Sequence, residues 1–242
     1  MTTVLSLGGS IVAPEGPDAA FVASFAALAR EHLAADAERR LILVVGGGGP
    51  ARAWQKAYRE ALAAAPGSES PNSPAEAPDA DAQDWVGIMA TRLNAQLVKA
   101  VLGGLCPMEV VTDPSAVTVF RGRVLVAAGW KPGFSTDFDA VLLAERFGAG
   151  RVLNLSNVAK VYTADPRVDP KATPIDSISW EQFRLLVGDE WVPGKNVPFD
   201  PVASRRAAEL GLEVVCAAGR DLPNLRAILG GGSFVGTVIG PK

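Results

Sequence analysis

Short apolar runs alternate with longer stretches of helical periodicity along the chain. The runs at 3–7 and 41–45 are continuous, rich in β-branched residues and stopped by glycine, which is typical of buried parallel strands. Between them, apolar residues recur at roughly helical spacing from Phe21 to Leu33. This order predicts a βαβ unit at the start of the chain.

The same alternation continues to the end of the chain. Further strands are predicted at 108–112, 123–128, 151–155, 213–217 and 235–239. Further helices are predicted at about 51–64, from an Asp84 N-cap past Val101, and at 137–147, 180–187 and 200–210. Strands that alternate with helices predict an α/β fold, in which a mainly parallel sheet is covered on both faces. Residues 66–82 are rich in Pro, Ser, Ala, Asp and Glu and predict a flexible loop.

Composition narrows the class of protein. The 242 residues are 48% hydrophobic, enough for one sizeable α/β domain or two small ones. The formal net charge of −3 argues against a nucleic-acid-binding surface. No internal repeat or clear domain boundary is visible, although a small C-terminal lobe from about residue 150 is compatible with the rise in Pro and Asp there.

Cysteine and histidine usage excludes several site types. Cys106 and Cys216 both lie beside apolar stretches, which favours buried thiols over a disulfide and fits a reducing cytosol. His32 is the only histidine, so a histidine-based metal cage or Ser/His/Asp machinery is not expected, and no protein metal site is predicted. No run reaches membrane length, and no basic segment precedes a long apolar core. We therefore expect a cytoplasmic protein with neither a membrane nor a nucleic-acid partner.

Four glycine-rich turns carry the candidate chemistry. They are Leu7–Ser10, Gly46–Gly49, Gly129–Asp137 and Pro193–Asn196. Glycine lets the backbone turn tightly and brings its N–H groups close to a ligand, and a following helix favours an anion there. Several such turns predict a site that holds phosphates at more than one point.

Seven segments together carry a family resemblance. They are VLSLGGSIVAPEGPD (4–18), VVGGGGPAR (44–52), DWVGIMATRLNAQLV (84–98), PGFSTDFDAVLLAE (132–145), NLSNVAKVYTADPRVDPKAT (154–173), FDPVASRRAAELG (199–211) and GTVI (236–239). In content and order they resemble the amino acid kinase superfamily, and most of all its uridylate (UMP) kinase branch of archaeal type.

The resemblance implies a fold and an activity. The fold is a three-layer α/β/α sandwich, and the whole chain, 1–242, is one domain with an acceptor-binding part at about 1–150 and an ATP-binding part at about 151–242. The activity is transfer of the ATP γ-phosphoryl group to UMP, with Mg²⁺ held mainly by the nucleotide phosphates. The resemblance also implies a homo-oligomer, built on dimers or as a hexamer. The alternatives are a kinase for another small phosphate or carboxylate, and a catalytically weakened nucleotide- or oxyanion-binding relative, such as the molybdenum storage proteins.

The resemblance also implies roles for particular residues. The catalytic residues are Gly9, Ser10, Thr136 and Asp137. The acceptor-binding residues are Gly46, Gly47, Gly48, Arg52, Asp84 and Thr136. The ATP-binding residues are Gly8, Gly9, Ser10, Asn157, Lys160, Tyr162, Asp165 and Asp200.

Several of these residues have a second interpretation. Gly46–Gly49 would also suit a plain strand-to-helix turn, although four glycines exceed what a turn needs. Asp84, Asp137 and Asp200 would each serve as a helix N-cap. Tyr162 would either contact the base or pack at a strand end, and Lys160 would either bind ATP phosphates or remain a solvated charge.

The chain also departs from the family pattern. Ser6 stands where many members have a lysine, and Ala159 replaces an acidic residue. Trp130, Lys131 and Phe134 change the loop that meets the acceptor. Acceptor identity is therefore the part of the function that the sequence leaves most open.

Overall fold

The computed structural model describes residues 1–64, 79–166, 168–188 and 197–240. Within these ranges a seven-stranded sheet and a separate two-stranded sheet are flanked by helices. Two predicted features, most of the 66–82 loop and the glycine turn at 193–196, lie outside the described residues.

The strands, in chain order, are β1 (Thr2–Leu7), β2 (Arg40–Val45), β3 (Val124–Ala127), β4 (Arg151–Ser156), β5 (Val161–Tyr162), β6 (Pro174–Ile175), β7 (Ser177–Ser179), β8 (Glu213–Ala218) and β9 (Thr237–Gly240). The helices are α1 (Gly9–Val12), α2 (Ala19–Ala34), α3 (Gly48–Ala63), α4 (Ala80–Leu102), α5 (Thr136–Arg146), α6 (Trp180–Val187), α7 (Pro201–Glu209) and α8 (Leu222–Gly230), with a 3₁₀ turn at Gly103–Leu105.

The main sheet has the strand order β3-β2-β1-β4-β8-β9-β7. The first five of these strands are parallel, and β9 pairs antiparallel with β8 and parallel with β7. Strands β5 and β6 form the separate antiparallel pair. The prediction of a mainly parallel sheet covered on both faces is confirmed.

Successive residues of the central strands enter two different cores. Leu5 and Leu43 pack with α2 residues such as Phe25, whereas Val4 and Ile42 pack with α6 residues such as Phe183. Side chains alternate across a strand, so a continuous apolar run supplies both cores. Because the strands are parallel, the loops that leave their carboxyl ends gather at one edge of the sheet.

Some predicted elements differ from the structure. The strand predicted at 108–112 is reduced to a single bridge between Val111 and Ala127, and Pro107 and Pro114 bracket it. Helix α4 begins before Asp84 and is capped by Asp79, so the N-cap interpretation of Asp84 is wrong and residues 80–82 are helical. Helix α8 and the short strands β5, β6 and β7 were not predicted.

Both cysteines are buried free thiols, as predicted. Burial raises the pKa of Cys106 to about 11 and that of Cys216 to about 12. In the described part of the chain, no helix is long and apolar enough to cross a bilayer.

Candidate active site

The first two glycine turns pack backbone against backbone. A Cβ added to Gly9 would lie 1.9 Å from the Gly48 backbone nitrogen, and one added to Gly46 would lie 2.5 Å from the Gly9 nitrogen. Gly48 also has a φ of +64°, in the left-handed region that favours glycine. The glycine run is therefore required by contact between the loops that follow β1 and β2, a reason that neither sequence interpretation included.

Backbone donors remain at the start of α3. The N–H groups of Gly46 and Gly49 donate to the carbonyls of Leu7 at 2.9 Å and Ala13 at 2.8 Å. Among the described residues, the N–H groups of Gly47 and Gly48 donate no backbone hydrogen bond. Two such donors at a helix N-terminus form a suitable anion site.

Arg52 lies one turn into α3, beside the first glycine loop. Its guanidinium approaches the Ser10 hydroxyl at 3.5 Å and the Pro14 carbonyl at 3.3 Å, and the side chain is exposed. Both contacts are long, so the guanidinium is available to a ligand that enters between the two loops.

Helix α4 holds two loops of the site in place. The Asn94 amide donates to the carbonyls of Gly46 at 2.9 Å and Gly47 at 3.1 Å. The Thr91 hydroxyl accepts from the Gly129 N–H at 2.8 Å, and Arg92 donates to the Trp130 carbonyl at 3.0 Å. Through these hydrogen bonds, Thr91, Arg92 and Asn94 brace the loops after β2 and β3 against α4.

A cleft of about 260 Å³ lies between α3, α4 and the loop that follows β3. It is lined by Gly47, Ala51, Gln55, Asp84, Gly87, Ile88, Thr91, Gly129, Phe134, Ser135 and Thr136. The Asp84 carboxylate accepts a hydrogen bond from the Gly133 N–H at 3.1 Å. The cleft joins a mostly apolar lining to a few polar groups, which is typical of a small-molecule site.

Phe134, which lines this cleft, belongs to a cluster of three aromatic rings. The ring centroids of Trp130 and Phe134 are 5.1 Å apart, and those of Phe134 and Phe138 are 4.9 Å apart. The Lys131 ammonium lies 4.0 Å from the Trp130 ring centroid, a cation–π contact. We call Trp130, Phe134 and Phe138 the aromatic wall.

Asp137 connects three elements at the floor of the site. Its carboxylate accepts from the Ser6 hydroxyl at 2.9 Å and from the Asp200 N–H at 3.3 Å. Ser135 caps α5 by accepting from the Phe138 N–H, so the interpretation of Asp137 as a plain N-cap is wrong. The departure at Ser6 thus places a hydroxyl donor, rather than a cation, on this carboxylate.

The floor of the site carries two half-buried to buried carboxyl groups. Burial, reinforced by the Asp200 charge and opposed by the Ser6 hydrogen bond, raises the pKa of Asp137 to about 6. Burial is also the main cause that raises the pKa of Asp200. Asp200 caps α7 by accepting from the Ala203 N–H at 2.7 Å, so its capping interpretation is confirmed and does not exclude a ligand role.

Two residues near the site were missed in the sequence. Gln55 lines the cleft and lies three residues after Arg52, on the same side of α3. Asp139 has no solvent exposure and accepts from the Trp130 N–H at 3.2 Å. A carboxylate among the apolar positions of α5, one turn before Leu143, is a signal that could have identified it.

Four of the residues expected at the ATP, Asn157, Lys160, Tyr162 and Asp165, lie on the segment after β4. Asn157 is exposed, Tyr162 pairs with Pro174 in the β5–β6 ladder, and Lys160 forms an ion pair with Asp176. The Asp165 carbonyl accepts hydrogen bonds from the N–H groups of Val168 and Asp169. Within the described part of the chain, the cleft beside α4 is lined by none of these four residues.

Comparison with known proteins gives consistent full-length similarity. The model of the amino acid kinase family matches residues 1–218. The chain is 35% identical to a uridylate kinase of Methanospirillum hungatei, over 98% of this chain and 94% of the relative. It is 33% identical to a uridylate kinase of Thermoplasma volcanium, over 99% and 97%. The crystal structure of uridylate kinase from Archaeoglobus fulgidus superposes with a TM-score of 0.80 at 30% identity, covering 99% of this chain and all (100%) of that one.

Proposed function

The chain belongs to the amino acid kinase family, and on that premise we propose that it transfers the γ-phosphoryl group of ATP to UMP, giving UDP and ADP. The observation that carries the proposal is the full-length similarity to uridylate kinases at 33–35% identity, with the cleft at the paired glycine loops. We place the reaction in the cytoplasm, where both nucleotides are found.

The acceptor phosphate would bind at the start of α3. The N–H groups of Gly47 and Gly48 supply two donors, and the Arg52 guanidinium adds a planar pair of donors from the side. The nucleoside would then extend along the cleft past Asp84 toward the aromatic wall. This orientation directs the acceptor phosphate toward Gly9 and Ser10, at the carboxyl end of β1.

Direct transfer needs positioning and charge neutralisation more than proton transfer. The acceptor phosphate oxygen is itself the nucleophile, so no covalent intermediate on the protein is required. We assign Gly8, Gly9 and Ser10 to binding of the phosphoryl group that is transferred. Thr136, at the start of α5, would contact the same group. Asp137 ties β1, α5 and the start of α7 together through its two hydrogen bonds, and so keeps the acceptor side and the ATP side in register.

Mg²⁺ would be held mainly by the nucleotide phosphates. Mg²⁺ prefers oxygen ligands and commonly takes several of them from substrate phosphates. The bound ion neutralises charge on the phosphates.

The ATP would occupy the C-terminal part of the chain. We assign Asn157, Lys160, Tyr162 and Asp165, on the segment after β4, and Asp200 at the start of α7, to its binding. Lys160 forms an ion pair with Asp176, so a role at the ATP phosphates requires exchange of that carboxylate for a phosphate. The Asp176 side chain is 84% exposed, so water can solvate this carboxylate when a phosphate replaces it at Lys160.

The test of the proposed function is an ADP-release assay with a panel of acceptors. UMP, CMP, isopentenyl phosphate, acetylglutamate and carbamate are compared at equal concentration with ATP and Mg²⁺. We expect UMP to give the highest kcat/KM. A higher value for another acceptor would replace UMP by that acceptor, and ATP binding without transfer to any acceptor would favour a storage or regulatory role.

Asp137→Asn tests the floor of the site. The amide oxygen still accepts the Ser6 hydroxyl, but the negative charge is lost. We expect kcat to fall by about two orders of magnitude or more, with the melting temperature lowered by no more than a few degrees. A rate within a few-fold of the wild type would remove Asp137 from the catalytic group.

We also propose a homo-oligomer that uses the outer face of α4. Trp85, Met89 and Leu93 follow one another at four-residue spacing and are 43, 57 and 71% exposed. On the adjoining helix α3, Trp54 is 65% exposed. Large apolar side chains grouped in this way mark a contact surface, and a second copy of the chain is the proposed occupant.

A further inference from the structure

Asp139 is an interior carboxyl group that the proposed transfer does not use. It lies in the first turn of α5 with no solvent exposure, on the face that also buries Ala140 and Leu143. An apolar residue would fill this position without the large free-energy cost of burying a carboxyl group. The presence of a buried carboxyl group at this position therefore indicates that Asp139 has a function.

The contacts of Asp139 point to the acceptor loop. Oδ2 accepts from the Trp130 N–H at 3.2 Å, whereas Oδ1 has no hydrogen-bond partner within the described ranges. The charged groups that influence it are two carboxylates, Asp137 on the same helix and Asp113 before β3. Burial, with these two charges, raises the pKa of Asp139 to about 7.

Trp130 is held from both sides. Its carbonyl accepts from Arg92 of α4 at 3.0 Å, and its N–H donates to Asp139 of α5. Its ring is the first member of the aromatic wall, and the next member, Phe134, lines the cleft. The position of that wall therefore depends on a hydrogen bond whose acceptor is supplied by Asp139.

We propose that Asp139 is a positioning residue for the acceptor: by anchoring the Trp130 backbone, it holds the aromatic wall against the cleft. The inference rests on the proposed function for the identity of the acceptor, but the anchor itself can be measured without turnover. Loss of the anchor loosens the surface that meets the nucleoside and leaves the phosphate donors of Gly47 and Gly48 in place. Loss of the Asp139–Trp130 hydrogen bond should therefore weaken acceptor binding more than it slows phosphoryl transfer.

The experiment compares Asp139→Leu, which removes the hydrogen-bond acceptor, with Asp139→Asn, which keeps an oxygen for the Trp130 N–H. Glu181→Gln, at an exposed position of α6, is the matched control for loss of one carboxylate. We expect Asp139→Leu to raise the KM for UMP about tenfold, the loss of one hydrogen bond, with kcat changed less than about threefold. Asp139→Asn and Glu181→Gln should stay within about threefold of the wild type in both constants.

Amide hydrogen exchange of the 129–134 segment supplies the second measurement. Asp139→Leu should exchange faster there than the wild type, and Asp139→Asn should not. Asp139→Ala, which also lacks the acceptor but adds no bulk, must give the same changes as Asp139→Leu, so the test survives if the leucine variant fails to fold. Unchanged KM and unchanged exchange in Asp139→Ala would overturn the proposal. If the wild type neither binds nor phosphorylates UMP, the proposed function is refuted. Amide hydrogen exchange of residues 129–134 would still decide whether Asp139 anchors Trp130.

Discussion

Replacing Asp139 by asparagine should change how the stability of the protein depends on pH. In the folded protein the pKa of this carboxyl is raised to about 7 from a reference value of 3.8. The folded state therefore binds a proton more tightly than the unfolded state. The stability that this proton contributes is present in full below pH 3.8 and is lost as the pH rises through about 7.

The magnitude follows from the two pKa values. A separation of about three units corresponds to about 4 kcal/mol between the low- and high-pH limits. Between pH 5 and pH 8 the wild type should lose about 2–3 kcal/mol of unfolding free energy relative to Asp139→Asn. A constant difference, such as an unsatisfied amide in the variant, cancels because only the change with pH is compared.

Urea unfolding of both proteins at pH 5, 6, 7 and 8 measures this difference. Glu181→Gln, at an exposed position, is measured alongside as the control for loss of one carboxyl group. We expect the unfolding free energy of Asp139→Asn to rise relative to that of the wild type with each pH unit, and this difference to level off above about pH 7. Parallel curves for the wild type and Asp139→Asn would show that Asp139 is ionised without penalty and would refute the reasoning.

Three other changes test separate parts of the structure. Arg52→Ala should weaken UMP binding about 10- to 100-fold by calorimetry, while Arg59→Ala on the same helix should not; equal affinities would remove Arg52 from the phosphate site. Gly9→Ala should lower the unfolding free energy by about 3 kcal/mol or more because its Cβ would meet backbone at 1.9 Å, whereas Gly16→Ala meets open space and should stay within about 0.5 kcal/mol. Leu93→Glu should reduce the oligomer measured by light scattering without lowering the unfolding free energy by more than about 0.5 kcal/mol, and a wild type that is monomeric would contradict the α4 interface.

The central strands were predictable because burial on both faces leaves a continuous apolar run. The run at 41–45 lies within β2, and that at 151–155 lies within β4. The edge elements were harder: β7 has three residues and pairs only with β9 in the main sheet, so its position depends on a partner about 60 residues further along the chain. Helix α8 was missed although Asp221 caps it and Pro223 lies in its first turn, both local signals of a helix start.

The site was predictable in its parts and not in its contacts. The glycine turns and the Ser135–Asp137 segment were identified from residue type and order. The packing of Gly9 on Gly48 was not, because it joins two loops about 40 residues apart. The same holds for Ser6: the missing lysine was visible, but its hydroxyl contact with Asp137 joins positions 131 residues apart.

The backbone contact between the two glycine loops has a consequence for how this site can change during evolution. The separation of Gly9 and Gly48 is determined by main-chain atoms, which no side-chain substitution alters as long as the glycines remain. The aromatic wall is built from side chains of the loop after β3, Trp130 and Phe134, and of α5, Phe138. Under the proposed assignment, substitutions at Trp130 or Phe134 would change acceptor preference while the main-chain spacing of the two phosphate-binding loops stays the same. The spacing of the two glycine loops therefore does not depend on the side chains of Trp130 and Phe134.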